Sequence, residues 1–375
     1  MKQSIQRDPL ENFDFNPEKS FTLPGYYYHD EGIFEREKSS IFYHSWLYAG
    51  HVCLLDKPGK FVVRDIGDQS VLIVRHQDGQ LRGFHNVCQH RAHRLLEGEG
   101  ELRANIVCPY HNWTYQLSGE LKHARGTEGL AYFDAASVCL QPVNIEVFHG
   151  FVFYNFDHAA QPMSTQFAAL GDELRSFSPN APSLRRAYRR EYPIKANWKV
   201  SVENFDECYH CPIQHKALMA GGLDVNSYRI EVKDNYHAHY SRDVGPQQAY
   251  AYDPDVQGRG EELGAWFLWP NLSFEVYPGG YLNVFYHHPI GPEETVQIFE
   301  WYFDTEELTD EQRSIIDFMS TVRDEDVPIV QSVQRGLHSM GYRQGQFVIN
   351  PQSDVSEHAV HDFQARVLRA LGDKR

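Results

Sequence analysis

Short runs of β-branched and aromatic residues, separated by turn signals, fill the chain from Trp46 to about Phe156. The runs include "FVVRDIG", "SVLIVRHQDGQLRGFHNV" and "GFVFYNF", and the breaks between them are Gly, Asp-Gly and Ser-Gly. Such runs are typical of strands, and the breaks are typical of the turns that join strands. The pattern predicts a small all-β domain.

After Asp157 the pattern mixes helical and strand periods. "NWKVSVENFDECYH" places Trp198, Val202, Phe205 and Tyr209 at helical spacing, which predicts one amphipathic helix through this stretch. "LNVFYHHPI" and "TVQIFEWYF" alternate like antiparallel strands, and 309–339 has helical periodicity that we expect Pro328 to interrupt. This half of the chain is predicted to be an α+β domain.

The first residues are polar and turn-rich, and a helical segment follows in which Ile33, Phe34, Ile41 and Phe42 recur near helical spacing. We therefore predict three regions. Residues 1–39 are an arm and helix that pack on the catalytic domain, residues 40–157 are the all-β domain, and residues 158–375 are the catalytic domain. The fold class is α+β, with an antiparallel sheet flanked by helices in the second domain.

Charge and hydropathy narrow the function classes. The 375 residues carry 51 Asp and Glu against 35 Lys and Arg, a formal net charge of −16, so a phosphate-binding role with nucleic acid is not expected. The N-terminus lacks the apolar core of a signal peptide, and no run of 18 apolar residues occurs. We expect a cytoplasmic protein that binds neither nucleic acid nor membrane.

Two mixed pairs of ligand-type residues stand out in the all-β region. "CQHRAHR" supplies Cys88 and His90, and "CPYHNWTY" supplies Cys108 and His111. Zinc fingers usually place two Cys before two His, whereas a Rieske 2Fe–2S cluster takes one Cys and one His from each of two loops. The spacing favours the Rieske cluster over structural zinc.

A second group of ligand-type residues follows in "NWKVSVENFDECYHCPIQH". The predicted helix would carry Glu203, Glu207 and His210 on one face, and His215 follows after Pro212. Two imidazoles and one carboxylate on one side of Fe(II) leave positions open for dioxygen and substrate. Spacing alone does not choose the carboxylate, and five distant acids qualify: Asp324, Glu325, Asp326, Asp354 and Asp362.

Two further motifs are weaker. Cys208 and Cys211 have the spacing of a redox pair, but we expect them to be packing thiols at a buried helix end. "GRGEELG" at 258–264 has a glycine one place late for a dinucleotide fingerprint and no strand before it. Electrons from NADH or NADPH are therefore expected to arrive only through a separate flavin and iron–sulfur reductase.

From about Phe21 to Gly345 the chain resembles the α subunits of the Rieske non-haem iron oxygenases, the superfamily of the ring hydroxylases. Segments such as "ECYHCPIQH", "WPNLSFEVYPGG" and "DEDVPIVQSVQRGLHSMGYRQGQ" are most similar to the carnitine and betaine oxygenases. The resemblance implies a helix-grip catalytic domain, Asp326 as the third iron ligand, and a homotrimer. It also implies that Glu207 bridges the iron site to a Rieske histidine of the neighbouring subunit.

Small departures from the family pattern occur at the cluster loops. Gln89 and Ala92 stand where Pro and Gly are frequent, and Asn112 stands where Gly is frequent. None of the three removes a ligand. Asn tolerates left-handed backbone angles better than most residues do, so Asn112 suits that position.

The resemblance implies that the substrate is a quaternary ammonium or N-methyl compound, hydroxylated with loss of a methyl group or cleavage of a C–N bond. Aromatic faces attract such cations, and five aromatic residues are predicted to line the pocket: Trp266, Trp269, Phe274, Tyr281 and Phe285. The same residues would accommodate an aromatic ring, so hydroxylation of a benzoate-like substrate is the alternative. A non-catalytic Rieske electron carrier is the alternative of another class.

Overall fold

The computed structural model describes residues 10–224, 226–242, 249–253, 255, 258, 260–350, 353 and 356–374. It divides into two units, Phe42–Ala168 and a second unit that joins Met1–Ile41 to Ala169–Arg375. These units describe compactness, so the functional domain boundaries after residues 39 and 157 stay predictions. Within the described ranges, no helix is both long and apolar enough to cross a membrane.

The unit Phe42–Ala168 is built from antiparallel sheets, which confirms the all-β prediction. Its strands, in chain order, are β1 Leu47–His51, β2 Lys60–Ile66, β3 Gln69–Arg75, β4 Leu81–His85, β5 Glu99–Glu101, β6 Asn105–Val107, β7 Thr114–Gln116, β8 Leu121–His123, β9 Pro142–Phe148 and β10 Phe151–Asn155. One sheet has the order β1-β10-β9-β4-β3-β2-β5, and a small sheet has the order β6-β7-β8.

The core of this unit lies between the two sheets. Alternate residues of β2 and β3, such as Val63 and Leu72, pack with Ile106 and Tyr115 of the small sheet. The loop before β5 and the loop between β6 and β7 both cross the edge of this core, so Cys88 and Cys108 are buried in it. Burial of apolar side chains thus fixes the two loops on which the predicted cluster ligands lie.

The other unit contains a seven-stranded antiparallel sheet with helices, as the sequence predicted. Its strands are β11 Arg185–Ile194, β12 Arg229–Val232, β13 Tyr236–Arg242, β14 Glu262–Leu268, β15 Leu272–Tyr277, β16 Tyr281–Gly291 and β17 Glu294–Phe303. Their order is β11-β17-β16-β15-β14-β13-β12. Across the described residues of both units, the α-helices are α1 Glu31–Ser40, α2 Met163–Gln166, α3 Ala168–Phe177, α4 Trp198–Phe205, α5 Cys211–Gln214, α6 Lys216–Gly221, α7 Asp310–Leu337 and α8 His358–Leu371.

A buried ion pair ties α1 to α4. The ammonium of Lys199 and the carboxylate of Glu37 are in direct contact, and both side chains are fully buried. Trp198 Nε1 donates to the same carboxylate at 2.8 Å. Because a buried charge is costly unless it is paired and hydrogen-bonded, these contacts fix the N-terminal helix on the helix that leads to the predicted iron ligands.

Helix α7, which follows the last strand of the sheet in the chain, differs from its prediction. Thr309 and Gln312 form a capping box, and α7 then runs without a break through Pro328 to Leu337. Proline removes one backbone donor and usually kinks a helix, so we predicted an interruption at Pro328. That prediction was wrong, because α7 continues through Pro328. As a result α7 carries Glu325 and Asp326 on a rigid element that faces the centre of the unit.

Candidate metal centres

Two loops with matching backbone geometry carry the predicted cluster ligands. In the first loop Cys88 N donates to His93 O at 2.8 Å and Ala92 N donates to Cys88 O at 3.1 Å. In the second loop Cys108 N donates to Trp113 O at 2.8 Å and Asn112 N donates to Cys108 O at 3.0 Å. Ala92 and Asn112 both have left-handed backbone angles, with φ of 55° and 58°. The position that favours glycine is thus accommodated by an alanine and an asparagine.

The four predicted ligands converge between these loops. His90 Nδ1 and His111 Nδ1 face each other at 3.2 Å, while the thiols of Cys88 and Cys108 are buried and form no disulfide. Burial raises the pKa of the Cys88 thiol, so a positive charge is needed to hold it as thiolate. Two buried sulfurs opposite two more exposed imidazoles fit a Rieske cluster, in which thiolates bind one iron and imidazoles bind the other.

Tyr115 contacts one of these sulfurs. Its hydroxyl lies 3.2 Å from Cys88 Sγ, and it also accepts the backbone N–H of Gln89 at 3.0 Å. Because the Gln89 N–H occupies an oxygen lone pair, the hydroxyl proton is left to donate to the sulfur. Trp113 stacks on the His90 ring with centroids 4.6 Å apart. Both residues therefore support the predicted cluster ligands as well as the core.

The second group of predicted ligands also converges. His210 Nε2 and His215 Nε2 are 3.2 Å apart, and Asp326 Oδ1 lies 3.5 Å from the first and 3.0 Å from the second. His210 precedes the short helix α5, His215 follows it, and Asp326 lies on α7. Two imidazole nitrogens and one carboxylate oxygen thus meet at one point, which fits the facial arrangement of a mononuclear Fe(II) site.

The outer nitrogens of both histidines bind carboxylates. His210 Nδ1 donates to Glu207, and His215 Nδ1 lies 2.8 Å from Glu325 Oε2. These contacts leave Nε2 of each ring free to bind an ion and fix the orientation of the ring. Glu325, one of the five acids that the sequence left open, therefore supports a ligand histidine instead of joining the triad.

The electrostatics of this site favour positive charge. Burial alone lowers the pKa of His210, but the carboxylates of Asp326 and Glu207 outweigh it and raise this pKa to about 9. Despite its own burial, Asp326 has a pKa well below its usual value because His210, His215 and Arg323 favour its charged form. The carboxylates that stabilise a proton on His210 would equally stabilise a divalent cation bound at the same nitrogen and oxygen atoms.

The remaining candidate acids have other partners. Asp324 lies 3.4 Å from Arg190, and Asp362 contacts His237 at 2.9 Å. Asp354 lies outside the described residues. Asn204, which the sequence did not suggest, donates to Asp326 Oδ1 at 3.3 Å. Asn204 is six residues before His210, and only the bend of the chain after α4 brings the two together.

The prediction of one helix through His210 was wrong. Helix α4 ends at Phe205, and Glu207 and Tyr209 lie in the irregular segment that follows. Tyr209 is 53% exposed, so it does not continue the apolar stripe of the helix. Asp206 ends the helix because its carboxylate bonds His237 and His239 of strand β13. Tertiary contacts overrode the local helical pattern.

The prediction for the CxxC pair was also wrong. Cys208 and Cys211 form a disulfide rather than remaining free thiols. The tight turn after α4 brings their Cα atoms to 5.0 Å, within the range that a disulfide spans. The disulfide encloses Tyr209 and His210, and both cysteines line the cavity beside the histidines.

A cavity of about 90 Å³ opens beside the triad. Its walls are mainly apolar and aromatic, with Phe205, Tyr228 and Tyr277 among them, and its charged residues include Glu275 and Arg323. Arg323 Nη2 donates to Glu275 Oε1 at 2.6 Å. The cavity can therefore accept a mostly apolar molecule next to the ligand atoms of the triad.

None of the five aromatic residues predicted for the pocket lines this cavity. Trp266 and Phe274 pair across β14 and β15 on the face opposite to Ala265 and Glu275, which do line it. Phe285 lies on the cavity side but is covered by Arg323, whose guanidinium carbon is 4.6 Å from its ring centroid. Side chains alternate between the two faces of a strand, so the pairing register of β14 and β15 determines which aromatic residues face the cavity.

The other two predicted aromatics are partly buried and pack on neighbouring aromatic rings away from this cavity. Trp269 packs against Trp198 and Phe363, and Tyr281 packs against Tyr250 and Phe303. Trp269 lies in the turn between β14 and β15 and borders a separate cleft. Tyr228 and Tyr277, aromatic residues that do line the cavity, carry no distinctive spacing in the sequence.

Comparison with known proteins gives two family matches. Residues 45–134 match the Rieske 2Fe–2S domain, and residues 182–373 match the catalytic domain of the ring-hydroxylating alpha subunit. The oxygenase subunit of carnitine monooxygenase from Escherichia coli (strain K12) is 37% identical over 367 residues, which cover 97% of both chains. Chloroplastic choline monooxygenase from Spinacia oleracea is 29% identical over 95% of this chain and 79% of its own length.

Solved structures agree with these matches. A quaternary ammonium Rieske monooxygenase in complex with L-carnitine superposes with a TM-score of 0.86 and 34% identity, covering 98% of this chain and 99% of that chain. Naphthalene 1,2-dioxygenase from Rhodococcus sp. shares the fold, with a TM-score of 0.78 at 19% identity. The chain therefore belongs to the ring-hydroxylating alpha subunits of the Rieske-type non-haem iron oxygenases.

Proposed function

We propose that the protein is the terminal oxygenase component that hydroxylates a small quaternary ammonium or N-methyl compound, with loss of a methyl group or cleavage of a C–N bond. The observation that carries this proposal is the convergence of His210, His215 and Asp326 at the wall of a largely apolar cavity. The substrate class rests on the similarity to carnitine and choline monooxygenases over nearly the whole chain.

Seven residues are assigned as metal ligands in this proposal. Cys88, His90, Cys108 and His111 would hold the 2Fe–2S cluster. His210, His215 and Asp326 would hold the mononuclear Fe(II). When bound, the cluster passes single electrons and the lone iron activates dioxygen. The proposed domains are the arm 1–39, the Rieske domain 40–157 and the iron domain 158–375.

Glu207 is proposed as the electron-transfer bridge. Its carboxylate accepts from the outer nitrogen of His210 with Oε1 and from the backbone N–H of His210 with Oε2, which places it at the edge of the iron site. A homotrimer in which one subunit's cluster serves the next subunit's iron would bring a Rieske histidine to the other carboxylate oxygen. Work on a relative with 34% identity describes inter-subunit electron transfer, which supports this arrangement.

The cavity suits a quaternary ammonium group in its wall chemistry. Such a cation cannot donate a strong hydrogen bond, so aromatic faces and nearby carboxylates stabilise it better than a fixed polar partner does. Tyr228, Tyr277 and Phe205 supply aromatic surface, and the Glu275–Arg323 ion pair adds little net charge to the wall. Arg323 donates to Glu275 and lies over the rings of Phe285 and Phe299. These contacts stabilise its positive charge and reduce its repulsion of a cationic substrate.

Electrons are proposed to come from NADH or NADPH through a separate flavin and iron–sulfur reductase. No dinucleotide fingerprint occurs in the sequence, which supports an external reductase. The strongly acidic composition would suit a reductase that presents a basic docking surface. We propose a cytoplasmic location for the pair.

The experiment is substrate-dependent oxygen consumption by the iron-loaded protein with a surrogate reductase. Carnitine, γ-butyrobetaine, choline and glycine betaine are compared with benzoate and naphthalene, and products are identified by mass. Oxygen uptake with a quaternary ammonium compound and a matching hydroxylated or cleaved product supports the proposal. Uptake with benzoate or naphthalene alone would make the protein a ring hydroxylase. A reducible cluster with no substrate-dependent uptake would indicate an electron carrier.

A further inference from the structure

A continuous row of hydrogen-bonded ionisable side chains leads toward the cavity along one face of strand β13. Asp362 Oδ2 lies 2.9 Å from His237 Nε2, and His237 Nδ1 lies 2.5 Å from Asp206 Oδ2. The other oxygen of Asp206 lies 3.2 Å from His239 Nε2, and His239 Nδ1 lies 2.6 Å from the hydroxyl of Tyr228. The row joins α8, strand β13 and the end of α4 without a gap.

The two ends of the row have different surroundings. The side chain of Asp362 is 23% exposed and borders an open cleft of about 640 Å³, where Arg366 Nε donates to it at 2.5 Å. At the other end, His239 and Tyr228 line the same cavity as His210, His215 and Asp326. Between the ends, His237 and Asp206 are fully buried. The row therefore connects the outside of the unit with the proposed reaction site.

The chemistry of the row suits proton movement. Each imidazole uses both ring nitrogens, so a proton taken up at one nitrogen can leave from the other. Burial alone lowers the pKa of His237, but Asp206 and Asp362 outweigh it and raise that pKa, so the ring holds an extra proton readily. If the row only attached α8 to β13, the hydrogen bond between Asp362 and His237 would be enough. The row instead continues through Asp206 and His239 to the cavity.

The proposed reaction requires such a route. Hydroxylation with dioxygen follows R–H + O₂ + 2 e⁻ + 2 H⁺ → R–OH + H₂O. One C–H bond breaks, one C–O bond forms, and the second oxygen atom leaves as water with the two protons. The electrons come from the external reductase, and the two protons have to come from solvent to the reaction site.

We propose that Asp362, His237, Asp206 and His239 form the proton-delivery path of this oxygenase, with Asp362 at the solvent end and His239 at the cavity. The inference rests on the proposed oxygenase function and adds to it a set of residues outside the metal ligands. Protons would pass from Asp362 through His237 and Asp206 to His239, whose Tyr228 partner completes the cavity end.

The first test replaces the solvent end by the isosteric Asp362→Asn. In the metal-loaded variant with saturating substrate and excess reductase, we expect kcat to fall about tenfold or more, with little change in KM. The solvent isotope effect on kcat in D₂O is expected to rise to about twofold or more above that of wild type, because proton delivery becomes limiting. Iron content and the rate of cluster reduction are expected to stay at the wild-type values.

The second test is chemical rescue. Asp362→Ala leaves space beside the Arg366 guanidinium at the open cleft, where formate or acetate can bind. Either acid is expected to restore kcat in this variant with saturable concentration dependence and to leave wild type unaffected. Asp373→Ala is the control, because Asp373 is a carboxylate just beyond α8 that pairs with Arg36 and Tyr27 and, among the described residues, makes no hydrogen bond to the row. It is expected to show neither the isotope effect nor rescue.

The outcomes separate the two proposals. If wild type consumes oxygen with substrate and Asp362→Asn matches it in kcat and isotope effect, the proton path is overturned and the oxygenase function stands. A fall in kcat with neither an isotope effect nor rescue would assign the row a structural role and would also overturn the path. If wild type shows no substrate-dependent oxygen consumption, the proposed function fails and the path fails with it.

Discussion

The carboxylate of Glu207 accepts a hydrogen bond from Nδ1 of His210, three residues later in the chain. This contact turns Nε2 of the same ring toward His215 and Asp326. One carboxylate thus fixes the orientation of a proposed iron ligand through Oε1, while its Oε2 accepts the backbone N–H groups of Tyr209 and His210. The metal site and its proposed electron input are joined at this residue.

Replacing Glu207 by alanine is expected to uncouple the two metal centres. Both should remain loaded, since none of the seven proposed ligands is removed, but turnover should fall by about 10- to 100-fold or more. The measurement is reoxidation of the reduced cluster by oxygen and substrate in a single turnover, beside iron content. The matched control is Glu325→Ala, which removes the equivalent support from His215 without touching the bridge. Normal turnover in Glu207→Ala would remove Glu207 from the electron path.

Tyr115→Phe is expected to lower the reduction potential of the cluster. Its hydroxyl donates toward Cys88 Sγ, and such a donor stabilises the more negative reduced state. A decrease on the order of tens of millivolts, measured by spectroelectrochemistry, is the expected result. Tyr110→Phe is the control, because Tyr110 is half-exposed and its hydroxyl has no sulfur partner among the described residues. Equal potentials for wild type and Tyr115→Phe would argue against hydrogen bonding to a cluster sulfur.

Tyr277 lines the cavity and offers an aromatic face to a cationic substrate. Tyr277→Leu is expected to raise the Kd of a quaternary ammonium substrate about 2- to 30-fold, whereas Tyr277→Phe keeps the ring and should bind nearly as wild type does. A neutral tert-butyl analogue of the same substrate should lose much less affinity in the leucine variant. If cation and neutral analogue lose affinity equally, the effect is packing and not cation recognition.

Glu203 should make stability depend on pH. This carboxyl is largely shielded from water though its residue is only partly buried, and the shielding raises its pKa from 4.5 to about 7 even though Tyr28 and Gln364 donate to it. Between pH 4.5 and about 7 the unfolded chain has lost this proton while the folded chain keeps it, so stability falls as pH rises, by at most about 1.4 kcal/mol per unit. Above about pH 7 this loss is complete.

Glu203→Gln tests that prediction. The amide oxygen can accept the same two hydrogen bonds, so the variant is expected to show a smaller decrease in Tm between pH 5 and pH 7 than wild type shows. Glu306→Gln is the control, because Glu306 is exposed and should follow the wild-type profile. Parallel profiles for Glu203→Gln and wild type would mean that Glu203 is charged in the folded protein throughout this range.

The sequence predicted those parts of the site that depend on local spacing. Cys88 and His90 lie two residues apart on one loop, and His210 and His215 flank one short helix, so chain geometry brings each pair together. Asp326 was different, since spacing left it among five acids and the family resemblance selected it. Its position on a helix more than 100 residues later is set by tertiary packing.

What the sequence could not predict depends on register and on long-range contacts. Whether Ala265 or Trp266 faces the cavity is decided by how β14 pairs with β15, and a shift of one residue would exchange them. The end of α4 at Phe205 follows from the bonds of Asp206 to His237 and His239, about 30 residues later. The proton row also depends on Asp362, which no local pattern connects to the other members.

The central claim is that one chain holds two unlike iron centres, and metal analysis of Asp326→Ala beside wild type tests it most directly. Wild type is predicted to contain about three irons and about two acid-labile sulfides per chain. The variant is predicted to contain about two irons and the same sulfide, with an unchanged Rieske absorption spectrum. Three irons retained in Asp326→Ala would remove this residue from the ligand set. Wild-type protein with zinc, or without labile sulfide, would contradict the account.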